Sequence, residues 1–123
     1  LLNIKANSSA DNINSLSGGN QQKIILAREI GDSPDLLIAM QPTRGLDIGA
    51  SSYVRTCMQN LRERGKGVLL ISTDLDEIMQ VSDRIAVMYE GKIMGIVENS
   101  AELKAETLGL MMGGRPVEEV IAE

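Results

Sequence analysis

The sequence predicts an α/β fold in which short buried strands alternate with helices. Two wholly apolar runs, at residues 36–40 and 68–71, are short and bounded by glycine, proline or polar residues. Between them, residues 48–64 place apolar side chains at the spacing of an amphipathic helix. Strands buried on both faces consist of continuous apolar runs, so this pattern indicates a mostly parallel sheet flanked by helices.

Helix and strand boundaries follow from the breakers around these runs. Pro42 follows the first strand, Asp47 is placed to cap the helix over 48–64, and Gly65 is placed to end it. An earlier helix is expected over residues 20–30, where apolar residues recur at helical spacing. The apolar stripe of the 48–64 helix consists of Ala50, Tyr53, Val54, Cys57, Met58 and Leu61.

The second half of the chain predicts a short helix, a hairpin and a last helix. Asp74 and Glu77 have the spacing of a capping box for a helix ending near residue 81. Extended segments at 84–89 and 92–97 flank a tight turn and predict a terminal antiparallel hairpin at one edge of the sheet. A last helix is expected over 100–112, with Leu108, Met111 and Met112 as packing residues, followed by a frayed or partner-docked acidic tail.

Composition excludes several classes of function. The net charge of -5, without clustered lysine or arginine, argues against nucleic acid as a partner. The absence of histidine removes imidazole bases and imidazole metal sites. Cys57, the only cysteine, cannot form an internal disulfide and is interpreted as a packed thiol. No apolar run approaches the roughly 20 residues of a membrane span, and a cytoplasmic location is expected.

Two motifs in the first half of the chain resemble those of ATP-binding-cassette ATPases. The sequence LSGGNQQK at residues 16–23 resembles their signature loop, and QPTRGLD at residues 41–47 resembles the end of their Walker B strand and their D-loop. Residues 70–75 resemble the switch segment, residues 82–88 with 91–93 resemble the strands that close the core, and the resemblance extends to about Gly95. The resemblance implies the C-terminal half of a P-loop NTPase-like cassette.

The resemblance assigns the signature loop to an ATP held by an opposite cassette, so a second cassette is an expected partner. Glycines let the backbone approach a phosphate closely, and N–H groups at a helix start point toward the anion. Asp47 occupies the D-loop position. The signature residues that this comparison places at the ATP are Ser17, Gly18, Gly19, Asn20 and Gln21.

Three positions depart from the catalytic pattern of the family. Met40 stands where the Walker B aspartate would assist Mg²⁺, so no metal ligand is expected there, and Gln41 stands in place of the catalytic glutamate. Thr73 stands where the switch histidine is usual. A glutamine side chain cannot accept a proton as a general base. The resemblance therefore implies a degenerate site of this half, and sequence drift at a tolerant strand end is the alternative.

The form of the motifs is similar to that of sugar and nucleoside importers, in particular to their second cassette. Asn20 and Arg44, with LIAMQPT at residues 37–43, carry this similarity. It implies ATP and Mg²⁺ as cofactors of a parent complex, peripheral at the inner face of the cell membrane. Its partners would be permease subunits and, indirectly, a substrate-binding protein.

No phosphate-binding loop of the form G-x-x-x-x-G-K-[ST] occurs in this sequence. We therefore expect the chain to be inactive alone and to be a piece of a longer cassette, prone to self-association through uncovered apolar faces. The expected division is the end of a helical subdomain at 1–31, the second half of the ATPase core at 32–97 and a C-terminal helix and tail at 98–123. Two alternatives remain open: a cassette ATPase without a transporter, and a non-catalytic regulatory half.

Overall fold

The computed structural model of the protein describes residues 21, 24–28, 31 and 34–121. It divides into two compact units, Leu1–Ser72 and Thr73–Glu123. Residues 24–28 are helical, in agreement with the helix predicted over 20–30, and the rest of that prediction falls mostly outside the described residues.

The first unit contains a parallel strand pair joined through a helix. Strand β1, Leu36–Met40, is followed by helix α1, Ile48–Glu63, and strand β2, Gly67–Ile71. The two strands pair in parallel from Leu36 opposite Gly67 to Met40 opposite Ile71. These elements confirm the predicted strand-helix-strand order, with boundaries shifted by one residue at most.

Helix α1 ends as its sequence predicts. Gly65 has φ +79° and donates its N–H to Arg62 O at 3.0 Å, while the Lys66 N–H reaches Leu61 O at 3.0 Å. These two bonds form a Schellman motif, in which glycine adopts the left-handed conformation that other residues resist. The Lys66 ammonium then reaches the Asp35 carboxylate at 3.2 Å, and the Gly67 N–H reaches Asp35 O at 2.9 Å. The end of α1 is thereby tied to the start of β1.

One face of β1 is buried and the other is exposed. Leu37 and Ala39 are buried, whereas Leu36, Ile38 and Met40 between them are exposed. The prediction that this strand is buried on both faces is wrong for this chain, because its alternate residues are exposed. Within the first unit, α1 packs beside the strand pair. The buried residues of α1 are Ala50, Ser51, Val54, Met58 and Leu61.

The exposed side of the strand pair is apolar across both strands, and we call it the open face. In the parallel register Ile38 lies opposite Leu69 and Met40 lies opposite Ile71. The open face consists of Leu36, Ile38, Met40, Leu69 and Ile71, which are exposed by 41% to 70%. An apolar surface of this kind favours association, and self-association of the chain stays a prediction.

The second unit is built on a hairpin. Strand β3, Arg84–Tyr89, pairs antiparallel with strand β4, Lys92–Glu98, through Glu90 and Gly91, whose φ values are +48° and +78°. Two consecutive positive φ values are typical of the tight hairpin turn that the sequence predicts. The hydrogen bonds place this hairpin in a two-stranded sheet of its own, separate from β1 and β2.

Three helices pack with the hairpin. Helix α2, Leu75–Val81, precedes it, and helices α3, Ala105–Met112, and α4, Val117–Ile121, follow it. The core of this unit consists of Ile85, Val87, Leu108, Met111 and Val120.

Three predictions for the C-terminal region are wrong. The last predicted helix starts five residues late, because residues 100–103 close a turn in which the Leu103 N–H reaches Ser100 O at 3.1 Å. The acidic tail is not frayed over residues 117–121: it forms α4, and Val120 is buried in the core. The third wrong prediction is that Met112 is a packing residue: it is exposed at 39%, unlike its buried neighbour Met111.

Asn99 fixes the end of α2, a role that the sequence alone did not indicate. Its Nδ2 donates to Met79 O at 2.8 Å and to Ser82 O at 2.7 Å, and its backbone N–H donates to Asp83 O at 3.0 Å. Helix carbonyls at a C-terminus have no partner within the helix, so this amide supplies donors that α2 lacks.

Among the described residues, no helix has the length and apolar composition needed to cross a membrane.

Gly95 in β4 lets α4 approach the hairpin closely. A Cβ atom at this position would lie 2.5 Å from Val117 Cβ and 3.0 Å from Met111 Cε. We expect Gly95→Ala to destabilise the chain by about 1–3 kcal/mol, because overpacking a filled core forces its neighbours apart. Urea unfolding followed by circular dichroism measures this change.

Gly109 provides the matched control. It lies within α3, and a Cβ atom there would meet nothing within 4 Å. Gly109→Ala should stabilise the chain by about 0.5–1 kcal/mol, because glycine within a helix costs conformational entropy. Equal effects of the two alanine substitutions would contradict the close approach of α4 to Gly95.

Candidate functional site

The loop between β1 and α1 lies at the carboxyl end of a parallel strand pair. This is the position at which open α/β sheets bind their ligands. The loop spans residues 41–47. It contains the predicted site residues Gln41 and Asp47, and Arg44 of the same motif lies between them. Met40, the last residue of β1, borders it.

Backbone hydrogen bonds set the shape of this loop. The Gln41 N–H donates to Ile71 O at 2.7 Å, which extends the pairing of β1 and β2 by one residue. Gln41 has φ +48°, a left-handed conformation that is uncommon for a residue with a side chain. Its carbonyl accepts the Arg44 N–H at 3.2 Å, and Thr43 O accepts the Leu46 N–H at 3.1 Å. Two successive turns therefore carry the chain from β1 to α1.

Asp47 caps helix α1. Its Oδ1 accepts the Ala50 N–H at 2.7 Å, and its backbone carbonyl accepts the Ser51 N–H at 2.9 Å. The capping role predicted for Asp47 is confirmed, since the carboxylate satisfies one of the N–H groups that lack a partner at a helix start. The carboxylate also complements the positive end of the helix dipole.

Met40 presents a thioether at the edge of the open face. Its side chain is 70% exposed, and its strand partner Ile71 is 41% exposed. A thioether is a soft ligand and does not suit a hard divalent cation. In the part of the chain that the structure describes, no group of three or more carboxylates and cysteines is placed to hold a metal ion.

Thr73 belongs to the second unit, whereas Gln41 belongs to the first. Thr73 is exposed and directly precedes Asp74, whose Oδ1 accepts the Glu77 N–H at 3.2 Å at the start of α2. The Asp74 half of the capping box predicted for α2 is therefore confirmed. Glu77 is almost fully buried, at 2% exposure.

The signature residues are described only at their end. Ser17, Gly18, Gly19 and Asn20 lie outside the described residues, and Gln21 is helical and half-buried. The helical state of Gln21 agrees with the prediction of a helix that follows the two glycines.

A tyrosine and cysteine pair on α1 was not predicted as a unit. Tyr53 and Cys57 are both half-buried, one helical turn apart. Burial raises the pKa of the Tyr53 phenol above its ordinary value of 10.0, and the charge of the Cys57 thiolate and a hydrogen bond to that side chain raise this pKa further. The i, i+4 spacing of the pair was visible in the sequence, but it indicated only a shared apolar stripe.

Comparisons with known proteins find import ATP-binding proteins. The chain is 58% identical over 100 residues to the nucleoside import ATP-binding protein NupA of Lactococcus lactis subsp. cremoris (strain MG1363), a match covering 81% of this chain and 20% of the relative. It is 46% identical over 114 residues to the ribose import ATP-binding protein RbsA of Lactococcus lactis subsp. cremoris (strain SK11), covering 93% and 23%. The chain thus spans about a fifth of the length of these relatives. No family model matches the chain.

The fold is similar to that of solved ATP-binding cassettes. A dimeric post-hydrolysis structure of the cassette MJ0796 bound to ADP and Pi matches with a TM-score of 0.69 and 24% identity. The match covers 80% of this chain and 42% of that chain. At this level of identity the likeness establishes the fold alone.

Removing the Asp47 cap should weaken α1. We expect Asp47→Ala to destabilise the chain by about 1 kcal/mol, because the Ala50 N–H loses its acceptor. Asp47→Asn serves as the control, since an asparagine side chain also accepts this bond and should change stability little. Urea unfolding measures both variants. Equal losses would mean that the charge of Asp47, rather than the capping bond, stabilises α1.

The raised pKa of Tyr53 gives a pH-dependent signal. In the folded chain the phenol of Tyr53 should ionise with a pKa above 10.0. Ultraviolet absorbance follows this ionisation, and its loss in Tyr53→Phe assigns it. The pKa of Tyr53 is higher in the folded chain than in the unfolded chain. The contribution of this shift to the free energy of unfolding is therefore fully present below the unfolded pKa and is lost as the pH rises through the folded pKa.

The contribution of the thiol to this pKa is separable from that of burial. In Cys57→Ala the pKa of Tyr53 should fall but stay above 10.0, because burial is the largest cause of the shift. No change in the Tyr53 titration in this variant would show that Cys57 does not contribute.

Proposed function

The chain belongs to the ATP-binding-cassette ATPases, as one part of a cassette, and from this premise we propose that it serves ATP-driven import of a sugar or nucleoside. The observation that carries the proposal is the 58% identity over 100 residues to a protein named as a nucleoside import ATP-binding protein. The ribose import relative supports the same class of solute.

In this proposal the chain supplies its signature loop to an ATP bound by another cassette. The dimeric state of the similar solved cassette supports a paired arrangement. Small residues before a helix start let backbone N–H groups approach a phosphate, and a serine hydroxyl adds a donor. The residues proposed to contact that ATP are Ser17, Gly18, Gly19, Asn20 and Gln21.

The nucleotide site on the side of this chain is proposed to be weak in catalysis. By resemblance to the family, Gln41 takes the position of the general base but cannot accept a proton, and Thr73 takes the switch position without an imidazole. Asp47 is proposed to act at the junction between the two cassettes while it caps α1. The pair of cassettes would then contain one catalytically competent nucleotide site and one weak site.

The remaining assignments concern the complex around the chain. We propose that permease subunits hold the cassette at the inner face of the membrane and that a substrate-binding protein acts indirectly. ATP and Mg²⁺ serve the competent site of the complex.

We propose that the chain divides by role into a signature segment at 1–31, the second half of the ATPase core at 32–97 and a C-terminal helical segment at 98–123. Alone, the chain should not hydrolyse ATP, because its sequence contains no phosphate-binding loop.

The experiment is ATP turnover by the full-length protein that carries this chain, with two substitutions made separately. Ser17→Arg should lower kcat on the order of 100-fold or more, because the bulky cation blocks a loop that donates to the transferred phosphate. Gln41→Ala should change kcat by less than about threefold, because the residue it removes is not a base.

A matched control introduces the same arginine elsewhere. Ser52 is exposed on α1, outside the proposed site, and Ser52→Arg should leave turnover unchanged. Loss of turnover in Gln41→Ala would show that this half hydrolyses ATP itself and would refute the weak-site proposal. Full turnover in Ser17→Arg would refute the signature assignment.

A further inference from the structure

We propose that Arg44 is a phosphate-binding residue whose guanidinium contacts the phosphates of ATP at the edge of the sheet where β1 ends. The inference rests on the proposed function and gives a role to Arg44, the one charged residue of the QPTRGLD motif besides Asp47. Two sources of phosphate fit the same chemistry: the nucleotide on the side of this chain and the ATP held by the facing cassette.

Arg44 lies in the loop at the carboxyl end of the parallel strand pair. Ligands of open α/β sheets bind at this edge, so an exposed side chain of the loop is placed to meet one. Arg44 is exposed. Among the described residues it makes no ion pair, whereas Lys66 and Arg115 pair with Asp35 and Glu119. Its positive charge is therefore available to an anionic ligand.

The backbone on both sides of Arg44 is fixed by hydrogen bonds. The Arg44 N–H donates to Gln41 O at 3.2 Å, and the Leu46 N–H donates to Thr43 O at 3.1 Å. Gly45, the next residue, has φ +76°, a left-handed conformation that glycine adopts without strain. Because the loop already has its shape, binding an anion orders only the Arg44 side chain, and the entropic cost of binding is small.

Asp47 is the one carboxylate of the loop that could compete with a phosphate for Arg44. Its Oδ1 accepts the Ala50 N–H at 2.7 Å, so this oxygen is engaged in capping α1. In the described part of the chain no ion pair joins Arg44 and Asp47. The loop therefore presents a cation whose neighbouring carboxylate serves the helix instead.

Arginine suits a phosphate ligand through its geometry as well as its charge. Its planar guanidinium carries five N–H donors, can hold two phosphate oxygens at once and stays protonated at physiological pH. Charge-assisted hydrogen bonds of this kind are about twice as strong as neutral ones. The phosphates of a nucleotide, rather than its base or sugar, should therefore decide how much Arg44 contributes to binding.

The test measures ATP binding, adenosine binding and ATP turnover in the full-length protein that carries this chain. Arg44→Ala should weaken ATP binding at one site by about 10- to 100-fold, the loss expected when hydrogen bonds to a charged group are removed. Adenosine binding should not change, because adenosine has no phosphate. Arg44→Lys should recover part of the ATP binding, since lysine keeps the charge but cannot hold two oxygens in the same fork.

Arg64→Ala provides the matched control. Arg64 is also exposed and belongs to the same unit, but it is the C-cap of α1, at the opposite end of a helix of 16 residues. At 1.5 Å per residue that end lies about 24 Å from the helix start beside the loop. Arg64→Ala should therefore leave ATP binding and turnover unchanged.

Turnover identifies which ATP Arg44 contacts. If kcat falls more than about threefold in Arg44→Ala, the contact is with the ATP of the facing cassette, since that site carries the turnover in the proposed function. If kcat stays within about threefold of the wild type while ATP binding weakens, the contact is with the nucleotide on the side of this chain.

Unchanged ATP binding in Arg44→Ala overturns the inference. Equal losses of ATP and adenosine binding overturn it as well, because such a loss would not depend on the phosphates. A wild type that binds no ATP refutes the proposed function instead, and the inference falls with it.

Discussion

The hydrogen bond from the Gln41 N–H to Ile71 O is the constraint on which the candidate site depends. It extends the β1–β2 ladder past the last strand residue and fixes where the chain leaves the sheet. The left-handed conformation of Gln41 then turns the loop back toward α1, where Asp47 caps the helix start. A loop held at both ends by bonds of this kind is pre-organised before any ligand arrives.

The open face follows from the same arrangement. Parallel strands need a crossover, and α1 supplies it by packing along one side of the strand pair. The other side keeps apolar residues at each alternate position of β1, with Leu69 and Ile71 beside them in β2. This surface does not stabilise the fold while it is in contact with water. Burying it would contribute a favourable free energy of about 25 cal/mol for each Å² of apolar area.

Local signals predicted most of the fold, because each depends on neighbours in sequence. Asp47 and Gly65 predicted the two ends of α1 correctly, and the Glu90-Gly91 pair predicted the turn of the hairpin. The errors arose where distant residues decide the outcome. Burial of Val120 and the approach of Val117 to Gly95 keep the acidic tail helical, although its glutamates suggest solvent. The exposure of Ile38 likewise depends on what covers the sheet, which an apolar run cannot reveal. For the candidate site, sequence identified the loop and its unusual residues but not the bond to Ile71.

The backbone at positions 40 and 41 supplies bonds that shape the loop after β1. Met40 contributes to the ladder through its backbone, and Gln41 contributes its N–H and carbonyl. The cap of α1 comes from a side chain, the carboxylate of Asp47. Side chains at positions 40 and 41 can therefore change their chemistry without moving the chain that carries Arg44 and Asp47. This separation of backbone shape from side-chain chemistry explains how the loop keeps its geometry with Met40 and Gln41 at its start.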